Sequence, residues 1–227
     1  MTDAGDDGTD SLGSRWAADC AAVAPRADRA VVDGVGRDLL ARWQEPQRRY
    51  HDATHLAEVL TAVDTLGGAE HVPAEDRAVA TLAAWFHDAV YAVQSPADNE
   101  ERSAALAARE LERLGADRSV VERVVEVVLD TASHDLGSSA LPDAARVIVH
   151  DADLWVLSAP VERFDEYCRQ VREEYHHVPA AAYASARSEV LRPFLTRPHV
   201  YLTAHARRHW EPAARENLAR ELTRLGG

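Results

Sequence analysis

The chain has no lysine. All 25 of its basic residues are arginine, set against 38 acidic ones for a formal net charge of −13. A surface of that sign disfavours broad, sequence-independent binding to nucleic acid, which needs a basic face. It still admits a small phosphorylated ligand, because a bound metal and a few arginines can override the global field locally. Cysteine is also scarce: Cys20 and Cys168 make no metal or redox spacing and read as reduced, partly buried thiols of a cytosolic protein. No apolar run reaches the roughly 18 residues that a membrane span needs, and no N-terminal segment resembles a signal peptide. The sequence therefore predicts a soluble, cytoplasmic protein with no membrane partner. No Gly-rich phosphate loop follows a strand. Self-association into a homo-oligomer is compatible with these features.

What is present is mostly helical periodicity. Residues 1–14, rich in Gly, Asp, Ser and Thr, read as a disordered acidic tail, and 15–227 as a single all-α domain. Val31 to Trp43 repeats at helical spacing and is ended by Pro46. Leu56 to Leu66 follows, closed by Gly67-Gly68. Pro73 precedes a helix that carries Val79, Leu82, Phe86 and Val90. Asp98 caps another, which Gly115 stops. Val121, Val124, Val125 and Val128 keep a helical period in a segment begun by Asp117. Leu136 to Leu141 reads as a loop. Ala144 to Leu157 is apolar nearly all round, and Glu162–Tyr175, Ala180–Leu195 and Glu211–Leu225 complete the C-terminal third.

Three groups of polar residues interrupt this apolar pattern. His87-Asp88 lies in the run Leu82 to Tyr91, between Trp85-Phe86 and Ala89-Val90. A buried imidazole and carboxylate need hydrogen bonds or a cation to offset their desolvation. Upstream, His51 and His55 are four apart and share a face if a helix has begun by His51. Asp52 stands where a zincin motif would have Glu, so one histidine reads as a ligand and the other as its support or a cap. Downstream, Asp151 and Asp153 sit in an apolar helix whose phase does not choose between them. Two imidazoles and two carboxylates without thiolate suit one divalent ion such as Mn, Fe, Co or Ni, or Mg, better than a structural zinc.

The order His, His-Asp some 30 residues later, then Asp in an Ala-Asp-Leu context resembles the HD superfamily of metal-dependent phosphohydrolases. Tyr50-His-x-x-x-His55-Leu56, Trp85-Phe-His-Asp-x-Val-Tyr91, Asp98-Asn-Glu-x-x-Ser-Ala104, Thr131-x-x-His134, Asp151-x-Asp153-Leu154, Arg172-x-Glu174-Tyr175 and Arg187 are similar to an uncharacterised bacterial branch of that superfamily. The resemblance implies an HD-type helical bundle, with its metal-site core over about 48–158 and additional C-terminal helices over about 160–225. It implies His55, His87, Asp88 and Asp153 as metal ligands, with His51 and Asp151 as the nearby alternates.

The same resemblance implies hydrolysis of a small phosphorylated molecule, a nucleotide being the first expectation, by metal-activated water. Glu100 is then the candidate base or water-orienting group, beside its plain reading as a helix N-terminal acid. His134 is a candidate phosphate contact or acid, with Asp88 also in the catalytic set. Arg172, Arg187 and Arg192 are candidate phosphate clamps. Tyr91 and Tyr175 are candidate substrate contacts, although core packing is the default for such rings. Two other readings are a di-iron HD-type oxygenase, which would draw on His134 and His150, and a nucleotide-binding regulatory module with little turnover.

Overall fold

The structure, a computed structural model, describes residues 6–94, 96–134 and 143–226. Among the described residues it is all-helical, with no strand. The helices are α1 (Asp6–Val23), α2 (Arg29–Trp43), α3 (Ala53–Ala69), α4 (Ala74–Phe86), α5 (Asn99–Leu114), α6 (Arg118–Asp130), α7 (Ala144–Asp153), α8 (Val161–Glu174), α9 (Ala180–Thr196), α10 (Ala204–His209) and α11 (Glu211–Arg224). The loop expected over 136–141 lies outside the described residues. No described helix is long and apolar enough to cross a membrane.

Helices α3, α4 and α7 pack on one another at the centre. Helices α5 and α6 pair with each other, and α6 closes one side of α4 and α7. Gly115 makes the turn between α5 and α6 at φ 77°, as a left-handed C-cap should, and Ala116 N–H closes it on the Leu111 carbonyl. Helix α1 covers the other side of α4 with α2 packed on α1, and α8 and α11 pack around a 3-10 segment, Leu154–Ser158, that follows α7, with α9 packed on α11. One apolar cluster runs through all of it, from Trp16 to Leu222.

Four boundaries differ from the sequence expectation. The acidic segment expected to be disordered up to Ser14 is helical from Asp6. Trp16, 1% exposed, anchors α1 by donating to the Val32 carbonyl at 2.9 Å, and Arg15 bridges to Asp64. Tertiary contacts thus hold a helix that composition alone would not support. Helix α3 runs through Gly67-Gly68 instead of stopping there, and Gly67 serves the close approach of α4, since a Cβ on it would stand 2.7 Å from Arg77 Cδ.

Helix α4 ends at Phe86, so His87-Asp88 lies in the turn beyond it. Side chains from elsewhere take up the backbone groups that would have continued the helix. Arg48 donates to the Asp88 and Ala89 carbonyls at 2.8 and 3.3 Å, Ser103 accepts the Val90 N–H at 3.0 Å, and Asn99 accepts the Ala92 N–H at 3.0 Å. Helix α7 tightens into its 3-10 segment at Leu154, one residue after Asp153. Helix α10, absent from the periodicity reading, is six residues long and starts where the Thr203 hydroxyl accepts the Ala206 N–H.

Candidate metal centre

Asp52 begins α3 by accepting the N–H groups of Thr54 and His55 at 2.8 and 3.3 Å. His55 therefore sits in the first turn, whereas His51 precedes the helix and cannot share its face. The His55 ring packs against Tyr50 at 4.6 Å and near Trp43 at 6.3 Å. His87 lies against Trp43 at 5.4 Å and donates from Nδ1 to the Ala84 carbonyl at 2.8 Å. A carbonyl only accepts, so the proton is on Nδ1 and Nε2 is left to face inward.

The inward atoms converge. His55 Nε2 and His87 Nε2 are 3.1 Å apart, and Asp153 Oδ1 is 3.2 Å from the first and 3.5 Å from the second. Asp88 Oδ2 completes the set, 3.3 Å from His87 Nε2 and 3.8 Å from His55 Nε2. His55, His87 and Asp153 form the tight group, with Asp88 at its edge. Donors about 2.1 Å from a shared ion stand roughly 3.0–3.4 Å apart in octahedral or tetrahedral arrangement. The spacing and the donor chemistry both fit one divalent ion.

The electrostatics carry the same mark. Burial opposes a charge on His87, yet Asp88 and Asp153 outweigh it and hold the imidazole well above the ordinary histidine range. Burial likewise opposes charge on Asp88 and Asp153, and His87 overrides it, bringing both far below the usual carboxylate range. A positive charge is thus strongly favoured at the point where the four groups meet.

The alternates are engaged elsewhere. His51 Nδ1 lies 2.7 Å from Glu174 Oε2, and the His51 ring stacks on Tyr91 at 4.1 Å. Asp151, fully buried, accepts Leu202 N–H at 2.8 Å, Thr203 N–H at 2.7 Å and His150 Nδ1 at 2.9 Å, so it fixes the approach to α10. His134, at φ 47°, brings Nε2 to 3.5 Å from Asp153 Oδ2. Burial, above all, lowers its pKa to about 4, so it is neutral at neutral pH and suited to donating a hydrogen bond. His134 Nδ1 and His150 Nε2 are buried with no hydrogen-bond partner among the described residues, their rings 5.7 Å apart.

A cavity of about 640 Å³ opens onto this centre. Asp88, Asp153, Glu100 and His134 lie on its wall, as do Tyr91, Tyr175 and Arg187. Burial, then the nearby Asp88 and Asp153 charges, raise the Glu100 carboxyl. The other two candidate clamps do not line the cavity. Arg172 gives its fork to the Tyr175 and Val178 carbonyls at 2.5 and 2.9 Å and stacks over Tyr183, bracing the wall from behind. Arg192 is exposed, because Arg187, Leu191 and Phe194 form the inward stripe of α9 and position 192 falls off it.

Sequence reasoning assigned nothing to the two residues that frame the centre. Glu174 Oε1 accepts the N–H groups of Arg49, Tyr50 and His51 at 2.8, 2.9 and 3.1 Å, and Oε2 accepts the Tyr91 hydroxyl at 3.1 Å. Arg48, 4% exposed, donates to the His51 carbonyl at 2.9 Å as well as to Asp88. The signal for Glu174 was its place in the buried stripe Phe164, Tyr167, Val171, Glu174 of α8: an acid at an apolar position. Arg48 carries no such signal.

The chain matches no protein-family model and no curated protein.

Proposed function

We propose that the protein is a metal-dependent phosphohydrolase of the HD type, acting on a small phosphorylated molecule, with a nucleotide as the first candidate. The observation that carries this reading is the convergence of donor atoms of His55, His87 and Asp153 at 3.1–3.5 Å spacings, with Asp88 within 3.3–3.8 Å of the two imidazoles, beside a cavity that Asp88 and Asp153 line and that is large enough for such a ligand. A divalent ion bound there would supply an acidified water and a Lewis acid for a phosphoryl oxygen.

The protein's own groups take the remaining tasks. Glu100, with its carboxyl raised and Asp88 and Asp153 nearby, would orient the attacking water and hold its proton. His134 would steady Asp153 by donating from Nε2 and present a neutral ring to the substrate side. Arg187 would meet negative charge on the substrate. Trp43 and Tyr50 exclude water from behind the imidazoles. A di-iron oxygenase would need His150 among the ligands. Asp151 holds His150 Nδ1, and His150 comes within ion-pair distance of neither Asp88 nor Asp153 through either ring nitrogen.

The test is to load purified protein with Mn or Co and measure metal content and phosphate or pyrophosphate release over nucleotides and simple phosphoesters. One metal per chain and metal-dependent release support the reading. Two irons per chain with oxygen-dependent absorption would replace it with the oxygenase, and metal-loaded protein that binds nucleotides without turning them over would replace it with the regulatory module.

A further inference from the structure

The cavity has two chemically distinct ends. At one are the metal-ligand carboxylates and Glu100; at the other, on α9, is Arg187. Ring contacts connect them: His55 to Tyr50 at 4.6 Å, Tyr50 to Tyr167 at 4.5 Å, and the Arg187 guanidinium over Tyr167 at 5.2 Å. One small ligand can therefore span both.

Arg187 stands out by its partners. In a chain with 38 acidic side chains to 25 arginines, Arg163 is matched with Glu58 at 2.6 Å and Arg220 with Asp165 at 2.9 Å, while Arg172 spends its fork on two backbone carbonyls. Arg187 donates to the Tyr167 hydroxyl and lies over its ring, and no carboxylate among the described residues comes within ion-pair distance. A part-buried guanidinium with a neutral partner leaves charge to be balanced and N–H donors to be filled. The wall between the two ends is apolar and aromatic, with Val171, Tyr183, Leu191 and Phe194. Asn99 is the one amide side chain among the described lining residues, and its oxygen already accepts the Ala92 N–H. The aromatic and aliphatic faces of that stretch suit a flat apolar body.

The geometry points to a substrate that is anionic at both ends: a phosphoester whose phosphoryl group sits at the metal, whose body is flat and apolar, and whose second anionic group, a carboxylate or another phosphate, is forked by Arg187. The metal-end assignment rests on the phosphohydrolase reading; the Arg187 end rests on the partner pattern above.

The test is calorimetric binding to Mn-loaded protein of three non-hydrolysable probes: benzylphosphonate, 4-carboxybenzylphosphonate and para-xylylene bisphosphonate. The second anion is expected to tighten binding about tenfold in the native protein, as a charge-assisted fork should, and the probe that gains more identifies which anion it is. Arg187→Met is expected to remove the gain and Arg187→Lys to keep part of it. Equal affinity of all three probes for the native protein overturns the inference, as does a gain that survives in Arg187→Met. Because the native comparison needs no variant, it still decides the matter if a variant misfolds. Probes that bind with the gain while no phosphoester is turned over would sink the phosphohydrolase reading alone; turnover without the gain would sink this one alone.

Discussion

The Glu174 carboxylate caps the turn that leads to His55 and holds the His51 ring at 2.7 Å, so α8 sets where α3 begins. Burial alone would raise this carboxyl; the hydrogen bond and charge of His51, with the backbone N–H groups, outweigh it and bring it down to about 2. A depressed folded-state value stabilises the fold above the ordinary value of 4.5, and that stability is lost as pH falls through about 2. The shift corresponds to about 3 kcal/mol. Urea melts of native protein and Glu174→Gln should differ by a few kcal/mol at pH 7 and converge as pH drops from 4.5 towards 2. A difference that does not shrink with acid would contradict the assignment.

Metal content should separate the paired alternates. Asp153→Asn and His55→Ala are expected to lose the ion in elemental analysis, and with it the thermal stabilisation by added Mn, about 2.7 kcal/mol at a hundredfold excess over Kd. Asp151→Asn should lower stability, because one of the two oxygens shared by Leu202 N–H, Thr203 N–H and His150 Nδ1 becomes a donor, yet keep one metal per chain. His51→Gln should also keep it. The reverse pattern would exchange the ligand assignments.

Arg48→Lys tests the frame on the other side. One ammonium cannot reach the His51, Asp88 and Ala89 carbonyls together, so at least one buried acceptor is left unpaired. A loss of about 2–4 kcal/mol in chemical denaturation is expected, along with weaker Mn binding as Asp88 loosens. Unchanged metal affinity in a destabilised variant would confine Arg48 to the fold.

Two glycines should respond with opposite signs. A Cβ on Gly36 would stand 2.5 Å from Trp16 Cδ1, and Trp16 is buried on all sides, so Gly36→Ala should cost about 1–3 kcal/mol. Nothing lies within 4 Å of a Cβ on Gly68, so Gly68→Ala should stabilise α3 by up to about 1 kcal/mol. Thermal melts of the two variants decide both.

The helical class was legible because buried positions such as Val35 and Leu39 in α2, Leu56, Val59, Leu60 and Val63 in α3, and Val121, Val124 and Val128 in α6 each recur at a spacing that places them on one helix face. Much of the centre was legible for a different reason: His87-Asp88 and Asp153 are polar groups in apolar surroundings, and desolvation makes such positions stand out. The choice between Asp151 and Asp153 was not, because it depends on the chain at Leu202 and Thr203, which folds back from some fifty positions away. The end of α4 was also hidden. Local periodicity carries the helix on to Val90, and only Arg48, Ser103 and Asn99, brought in by tertiary contact, divert the backbone. Arg172 looked like a clamp because its side chain suits anions; its distance from the cavity follows from the turn at Tyr175 to Val178, whose carbonyls its fork fits.

That diversion at Phe86 bears on the order of events when an ion arrives. The residues that hold the His87-Asp88 turn in place are not themselves donors to the centre, so gathering four buried polar groups against their desolvation is work done during folding. Binding of an ion at the proposed centre would then have a docking character, and fast uptake with little backbone change is expected in stopped-flow mixing with Mn. Amide hydrogens at Ala89, Val90 and Ala92 should already exchange slowly in the metal-free protein.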